Sequence, residues 1–419
     1  MKYIVIIGDG MADYPLEELN GKTPLQVAHK PNMDYIARKG KSGILRTIPE
    51  KMQPGSDIAN LSILGYDPQK YYTGRGPIEA VSLGIKLKRE ETAFRCNLVT
   101  LEKGKMEDYS AGHINSNEAK EIIKTLNKKL GSKSIKFYNG VSYRHILLIK
   151  NEETERAECT PPHDITSKTI TPHLPRGEGS EILLELIKKS QEILKNHPIN
   201  IKRIQEGKKP ANSIWPWGQG KNPHLESFEE KFRVKGAIIS AVDLIKGIGK
   251  LIGLKTIEVP GATGYYNTNY TGKAEYALKH LKNHDFIYIH VEAPDEAGHA
   301  GDIENKIKAI ENIDQKIVGK VLNNITDLDD NYKIAILPDH PTPIKIKTHT
   351  NDPVPIAIYY NNEKGDKIQT FDENSAQKGS LGYLIGEQFM NLLTKKEHPQ
   401  PKQQTSQNTN PYKKSKIQK

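Results

Sequence analysis

Short, continuous apolar runs broken by turns recur along the chain. Residues 3–7 are apolar throughout and mostly β-branched, the signature of a strand covered on both faces. The run ends in Gly8-Asp9-Gly10. Helical spacing follows over 23–39 and a short strand over 44–48. After the Pro54-Gly55 turn, Ile58, Leu61 and Leu64 fall on one helical face. Helical spacing resumes over 78–83. Buried-strand runs return much later, at 234–240, 256–259, 286–291, 334–337 and 356–360, with helical segments between them. This alternation predicts an α/β fold built on a doubly wound parallel sheet.

The pattern between these two parts differs. A hairpin is expected from 95–100 and 106–109 around Lys103-Gly104, then a helix over 117–130, strands over 135–138 and 143–150, and an amphipathic helix over 179–195. Residues 213–220, with Trp215, Trp217 and two glycines, read as a loop. Strands and hairpins with helices between them fit an α+β module. The expected division is therefore a discontinuous sheet domain, 1–85 and 234–394, with an inserted α+β cap domain at 86–233. Residues 395–419 are expected to form a disordered basic tail.

Charge refines this picture. The net charge is +10, but seven lysines and one glutamate of the last 25 residues account for six of those charges. The remainder suits a small anionic substrate and gives little reason to expect nucleic acid as partner. Cys96 and Cys159 form neither a disulfide framework nor a metal spacing, which fits a reducing cytoplasm. The run at 3–7 is too short for a signal peptide, and no window approaches the length of a membrane span.

Candidate chemistry gathers where strands end. In open α/β sheets, ligands bind at the carboxyl ends of the strands. Asp9 follows the first strand, as a turn residue or as a ligand. Ser56 falls at the first turn of a helix, as its N-cap or as a nucleophile beside outward-pointing N–H groups. Asp295 and His299 are four apart, so one helical turn puts both on one face. Asp339-His340 follows another strand, and His349 lies nine residues further on. Mixed carboxylate and imidazole donors suit Mn²⁺ or Zn²⁺ better than Mg²⁺. A pair of such cations can ionise a serine hydroxyl and clamp phosphoryl oxygens.

Taken together, Gly8-Asp9-Gly10, Pro54-Gly55-Ser56-Asp57, Leu64-Gly-Tyr-Asp67-Pro, Tyr72-Thr-Gly-Arg75-Gly-Pro77, Asp295-x-x-x-His299, Asp339-His340 and Thr348-His349-Thr resemble the archaeal-type cofactor-independent phosphoglycerate mutases of the alkaline phosphatase superfamily. The likeness extends to about residue 392. It implies an alkaline-phosphatase-like sheet domain with an inserted cap, and interconversion of 3- and 2-phosphoglycerate through a phosphoserine at Ser56. It implies one cation, Mn²⁺ foremost with Mg²⁺, Zn²⁺ or Co²⁺ as alternatives, on Asp295, His299 and His349. A second would sit on Asp9, Ser56, Asp339 and His340, with no organic cofactor. His113, Arg144, His163 and Asp164 of the cap would contact substrate, and closure about hinges near residues 85 and 233 would exclude water. Gly10-Met-Ala-Asp13 and the Pro341 after His340 also resemble a branch for which homoserine kinase activity has been proposed. A phosphotransferase with that acceptor, or a metal-dependent phosphomonoesterase, is the alternative. No Gly-x-x-x-x-Gly-Lys-Ser/Thr loop for ATP is present.

Overall fold

The computed structural model describes residues 1–394; the basic segment 395–419 lies outside the described residues. The chain forms two compact units, Met1–Tyr72 with the part from Leu225 onward, and Thr73–His224. Both boundaries fall earlier in the chain than 86 and 233. The physical reason at the first is the helix Arg75–Ser82, which packs on strands of the second unit. Gly76 belongs there too, because a Cβ at that position would meet the Ala93 carbonyl at 2.3 Å.

In chain order the strands are β1 (Lys2–Gly8) and β2 (Lys41–Arg46) in the first unit. In the second come β3 (Thr92–Glu102), β4 (Lys105–Asp108), β5 (Ile135–Val141), β6 (Arg144–Ile149) and β7 (Ser213–Gly220). The first unit then resumes with β8 (Gly236–Ile239), β9 (Lys255–Thr256), β10 (Phe286–Val291), β11 (Tyr332–Leu337), β12 (Val354–Tyr360) and β13 (Gly382–Ile385).

The first unit is an eight-stranded sheet in the order β13-β2-β12-β11-β1-β10-β8-β9. β1 lies at its centre, parallel to β10 on one side and β11 on the other. Period-2 alternation divides each central strand between two faces. Ile4, Ile6, Ile287, Ile289, Ile334 and Ile336 enter one apolar core with Met33, Ile36, Ala274 and Ile310 from covering helices. Phe286, Tyr288 and His290 alternate with these isoleucines and point to the other face.

The sheet is not wholly parallel. β12 runs antiparallel to both β11 and β2. Its apolar run carries no mark of direction, because burial on both faces demands the same residues either way. The helix expected over 23–39 is two, Pro24–Val27 and Pro31–Lys39, since Pro31 cannot continue a helix.

The second unit has its own sheet, β4-β3-β6-β5, with β7 paired to β3. Phe94, Cys96 and Leu98 of β3 pack with Ile122 and Leu126 of the helix Ser116–Leu130 and Leu183 and Ile187 of the helix Ser180–Leu194. The segment 213–220 is a strand rather than a loop. Pro216 lies opposite Cys96 on a strand that pairs only with β3, where a missing N–H is tolerated. Trp215 Nε1 donates to the Thr160 carbonyl and Trp217 Nε1 to Asn97 Oδ1, so both rings are buried with their polar atoms satisfied. Among the described residues no helix is long and apolar enough to cross a membrane.

Candidate active site

The seven proposed ligand residues converge at the carboxyl edge of the first unit's sheet. Asp9 follows β1, Asp295 and His299 lie on the helix Ala293–Ala300 after β10, and Asp339 and His340 follow β11. Parallel pairing of β1 with β10 and β11 brings these strand ends side by side. Two groups result, Asp9–Asp339–His340 and Asp295–His299–His349, each with candidate ligand atoms within 4.8 Å of one another. The His340 and His349 rings lie 4.2 Å apart between centroids, so the groups adjoin.

Ser56 opens the helix Ser56–Ile63, and the N-cap is Gly55. The serine is therefore not spent on capping. Its Oγ lies 3.0 Å from His340 Nε2, although the two residues are 284 apart in sequence. That Nε2 is also 3.4 Å from Asp9 Oδ1. The hydroxyl thus faces the Asp9–Asp339–His340 group from the positive end of a helix.

Asp339 is fully buried and held on all sides. Its Oδ1 accepts from the Gly10 and His340 amides at 3.1 and 2.9 Å, and its Oδ2 accepts from Asn60 Nδ2 at 2.7 Å. Asn60 also donates to the Ser56 carbonyl and accepts from the Tyr288 hydroxyl, tying Ser56, Asp339 and β10 together. Gly10 has φ +61°, and a Cβ there would meet Thr342 Oγ1 at 2.5 Å and Asp295 Oδ1 at 2.7 Å. Only glycine lets this turn reach both ligand groups.

The Asp295 carboxylate faces two imidazoles, His299 Nε2 at 3.3 Å and His349 Nε2 at 3.4 Å. Those two nitrogens lie 2.9 Å apart. His299 Nδ1 contacts the Lys347 carbonyl at 3.0 Å, leaving Nε2 for the group. Thr342 Oγ1 donates to Asp295 and fixes its rotation.

Electrostatics favours a cation here. Burial first, and then the Asp339 and Asp295 carboxylates, hold the Asp9 carboxyl well above its ordinary range. Asp9 Oδ1 is buried with no hydrogen-bond partner. Burial lowers His340 to about 4, so its imidazole is neutral at neutral pH, as a metal ligand must be. At His299 burial also works downward, but Asp295 outweighs it and the value rises to about 9. The orphaned carboxylate oxygen and crowded acids of the Asp9 group, and the mixed O/N donor set of both groups, fit a divalent cation.

The four expected substrate residues lie in the second unit. Three of them line an aromatic ridge. His113 and Arg144 both approach Tyr143, at 6.2 Å between ring centroids and 5.4 Å from guanidinium to centroid. Tyr109 links Tyr143 to His163, which abuts Trp217 at 5.2 Å. Asp164 joins only through His163, at 3.6 Å. His113 sits in the left-handed region at φ +48°, an uncommon conformation for a residue with a side chain.

Sequence reasoning missed the supporting residues. Asn60 and His290 adjoin the candidate ligands, and Glu292 and Lys273 stand behind His290, but none bears a motif. Period 2 along β10 was the available signal, since Tyr288 and His290 occupy one face of an otherwise apolar strand.

Comparison with known proteins follows the geometry. The family described as 2,3-bisphosphoglycerate-independent phosphoglycerate mutase matches residues 37–200. A protein of that name from Methanosarcina barkeri is 54% identical over 94% of this chain and 100% of its own length. A probable one from Geobacter sulfurreducens is 49% identical, covering 94% and 99%. Among solved structures, a Pyrococcus horikoshii protein superposes with a TM-score of 0.79 at 34% identity, covering 94% of this chain and 96% of that one. The cofactor-independent phosphoglycerate mutase of Thermoplasma acidophilum gives 0.65 at 30%, covering 94% and 99%. With half of its residues shared over nearly the full length of such relatives, the chain belongs to the 2,3-bisphosphoglycerate-independent phosphoglycerate mutase family.

Proposed function

We propose that the protein interconverts 3-phosphoglycerate and 2-phosphoglycerate without a bisphosphoglycerate cofactor, with Ser56 carrying the phosphoryl group between the two positions. The observation that carries this reading is the 3.0 Å approach of Ser56 Oγ to His340 at the head of a helix, beside two groups of metal-type donors. Ser56 Oγ forms its bond to phosphorus as the substrate's 3-oxygen bond to phosphorus breaks, and the serine proton ends on that oxygen. The 2-hydroxyl of the retained glycerate then attacks the phosphoserine, and its proton returns to Ser56. Two divalent cations, Mn²⁺ foremost, would when bound supply positive charge that lowers the hydroxyl's pKa and screens the phosphoryl oxygens.

Asp295, His299 and His349 would hold one cation, and Asp9, Asp339, His340 and Ser56 the other. The helix behind Ser56 adds its positive end, which favours the incoming phosphoryl group. Arg144 suits the substrate carboxylate, because a guanidinium pairs with a carboxylate in bidentate fashion. His113 and His163, on the same ridge, and Asp164 beside His163 are the further candidates for contact with the glycerate.

The test is one incubation with Mn²⁺ and 3-phosphoglycerate, no bisphosphoglycerate being added. Formation of 2-phosphoglycerate is expected. Release of inorganic phosphate in its place would make the protein a phosphatase, and phosphohomoserine formed only with ATP and homoserine would make it a kinase.

A further inference from the structure

Behind the ligands lies a buried polar chain that the mechanism above does not use. Lys273, on the helix Tyr270–Leu281, is fully buried and donates to the His290 carbonyl at 2.7 Å and to Glu292 Oε2 at 2.9 Å. Glu292 Oε1 accepts from the Ser240 hydroxyl at 2.7 Å and from the Ala241 and Val242 amides. It also lies 3.3 Å from His290 Nδ1. Across the ring, His290 Nε2 lies 3.6 Å from Asp9 Oδ2 and 3.5 Å from Asp339 Oδ2. The imidazole, with no exposed surface, therefore stands between Glu292 and the two ligand carboxylates.

The two oxygens of Asp9 face different partners. Oδ2 faces His290, whereas Oδ1 faces His340 and has no hydrogen-bond partner. Both nitrogens of His290 are likewise buried without a well-aligned hydrogen bond. A buried polar atom left unpaired is costly, so it persists where function requires it. We propose that His290, anchored by Glu292 and Lys273, is a positioning residue that holds Asp9 by Oδ2 and so presents Oδ1 to the cation. The proposal rests on the reading that Asp9, Asp339 and His340 hold a metal ion.

Calorimetric titration of metal-stripped protein with Mn²⁺ tests it. In the parent, two binding classes are expected, and Asp295→Asn marks which class belongs to the other group. An amide nitrogen at the end of glutamine falls near the position of histidine Nε2, whereas that of asparagine falls near Nδ1. His290→Gln thus retains a donor toward the carboxylates and His290→Asn does not. The expected result is that His290→Asn weakens the Asp9 class by about 10–100-fold, while His290→Gln stays within about threefold and the Asp295 class is unchanged in both. Equal weakening by the two variants, equal weakening of both classes, or no change in either overturns the assignment. If His290→Asn does not fold, Glu292→Gln loosens the same anchor from behind, and an unaltered Asp9 class there overturns it as well. A parent that takes up no Mn²⁺ would instead overturn the cation reading itself.

Discussion

The proposed reaction turns on a single atom, the Ser56 hydroxyl oxygen. Replacing the serine with alanine removes the oxygen that would take the phosphoryl group but leaves Asp9, Asp339 and His340 in place. Ser56→Ala should therefore lower turnover by more than about 10³-fold while Mn²⁺ uptake is largely retained. Steady-state rates together with a metal titration check both halves. A second residue makes a prediction about stability. Glu373 is fully buried and accepts from the Asp13 amide and the Thr23 hydroxyl. Burial lifts its carboxyl from 4.5 to about 7. Its folded value is raised, so its favourable contribution is complete below about pH 4.5 and is lost as pH climbs through about 7. At about 1.4 kcal/mol per pH unit, the loss is on the order of 3 kcal/mol. Glu373→Gln keeps the shape without the charge, so it should gain that much on the parent between pH 4.5 and 8. Denaturant titrations of both proteins across that range would show it.

At the scale of elements, the site is a set of strand ends and the turns that follow them, clamped by buried polar side chains. Lys306, on the helix Ile303–Ile313, donates to Asp13 at 2.6 Å and to the carbonyls of Ala12 and Thr342. It thereby fastens the turn after β1 to the loop after β11. Lys306→Met would leave the Asp13 carboxylate buried without its cation, at a cost of about 3–5 kcal/mol in unfolding free energy. Combining it with Asp13→Asn should recover part of that, as equilibrium denaturation would report. These clamps also show what the sequence discloses. Asp9, Asp339 and His340 follow apolar runs and Asp295 and His299 share a helical spacing, so the gathering of these five side chains at one edge was legible from period and position, whereas Ser56 and His349 carried no such mark. Lys273 and Lys306 were not, because a lysine within an amphipathic helix looks like a solvent-facing one until its neighbours are known. The course of β12 and the strand at 213–220 escaped for a related reason. Direction and pairing are properties of partners, and Pro216 is a strand breaker everywhere except at an edge.

At the scale of the molecule, two donor groups at one sheet edge draw together the ends of three strands and the loops beside them. Cations bound to the folded chain alone should stabilise it by mass action. That contribution is about 2.7 kcal/mol for each site held at a hundred times its dissociation constant. Chelation should therefore abolish turnover and lower the melting temperature, and Mn²⁺ should restore both. Loss of activity with an unchanged melting temperature would contradict a cation held by these residues.

The central position of β1 has one more outcome. This strand is made before the whole segment from Thr73 to His224, which carries its own apolar cores, whereas its neighbours β10 and β11 are made after that segment. Pairing of such distant segments is slow, and until it occurs β1 presents two bare apolar faces. The nascent polypeptide must keep the seven residues of β1 from misassembling until β11, the later of its two neighbours, has been made, so aggregation during synthesis is the hazard this topology carries.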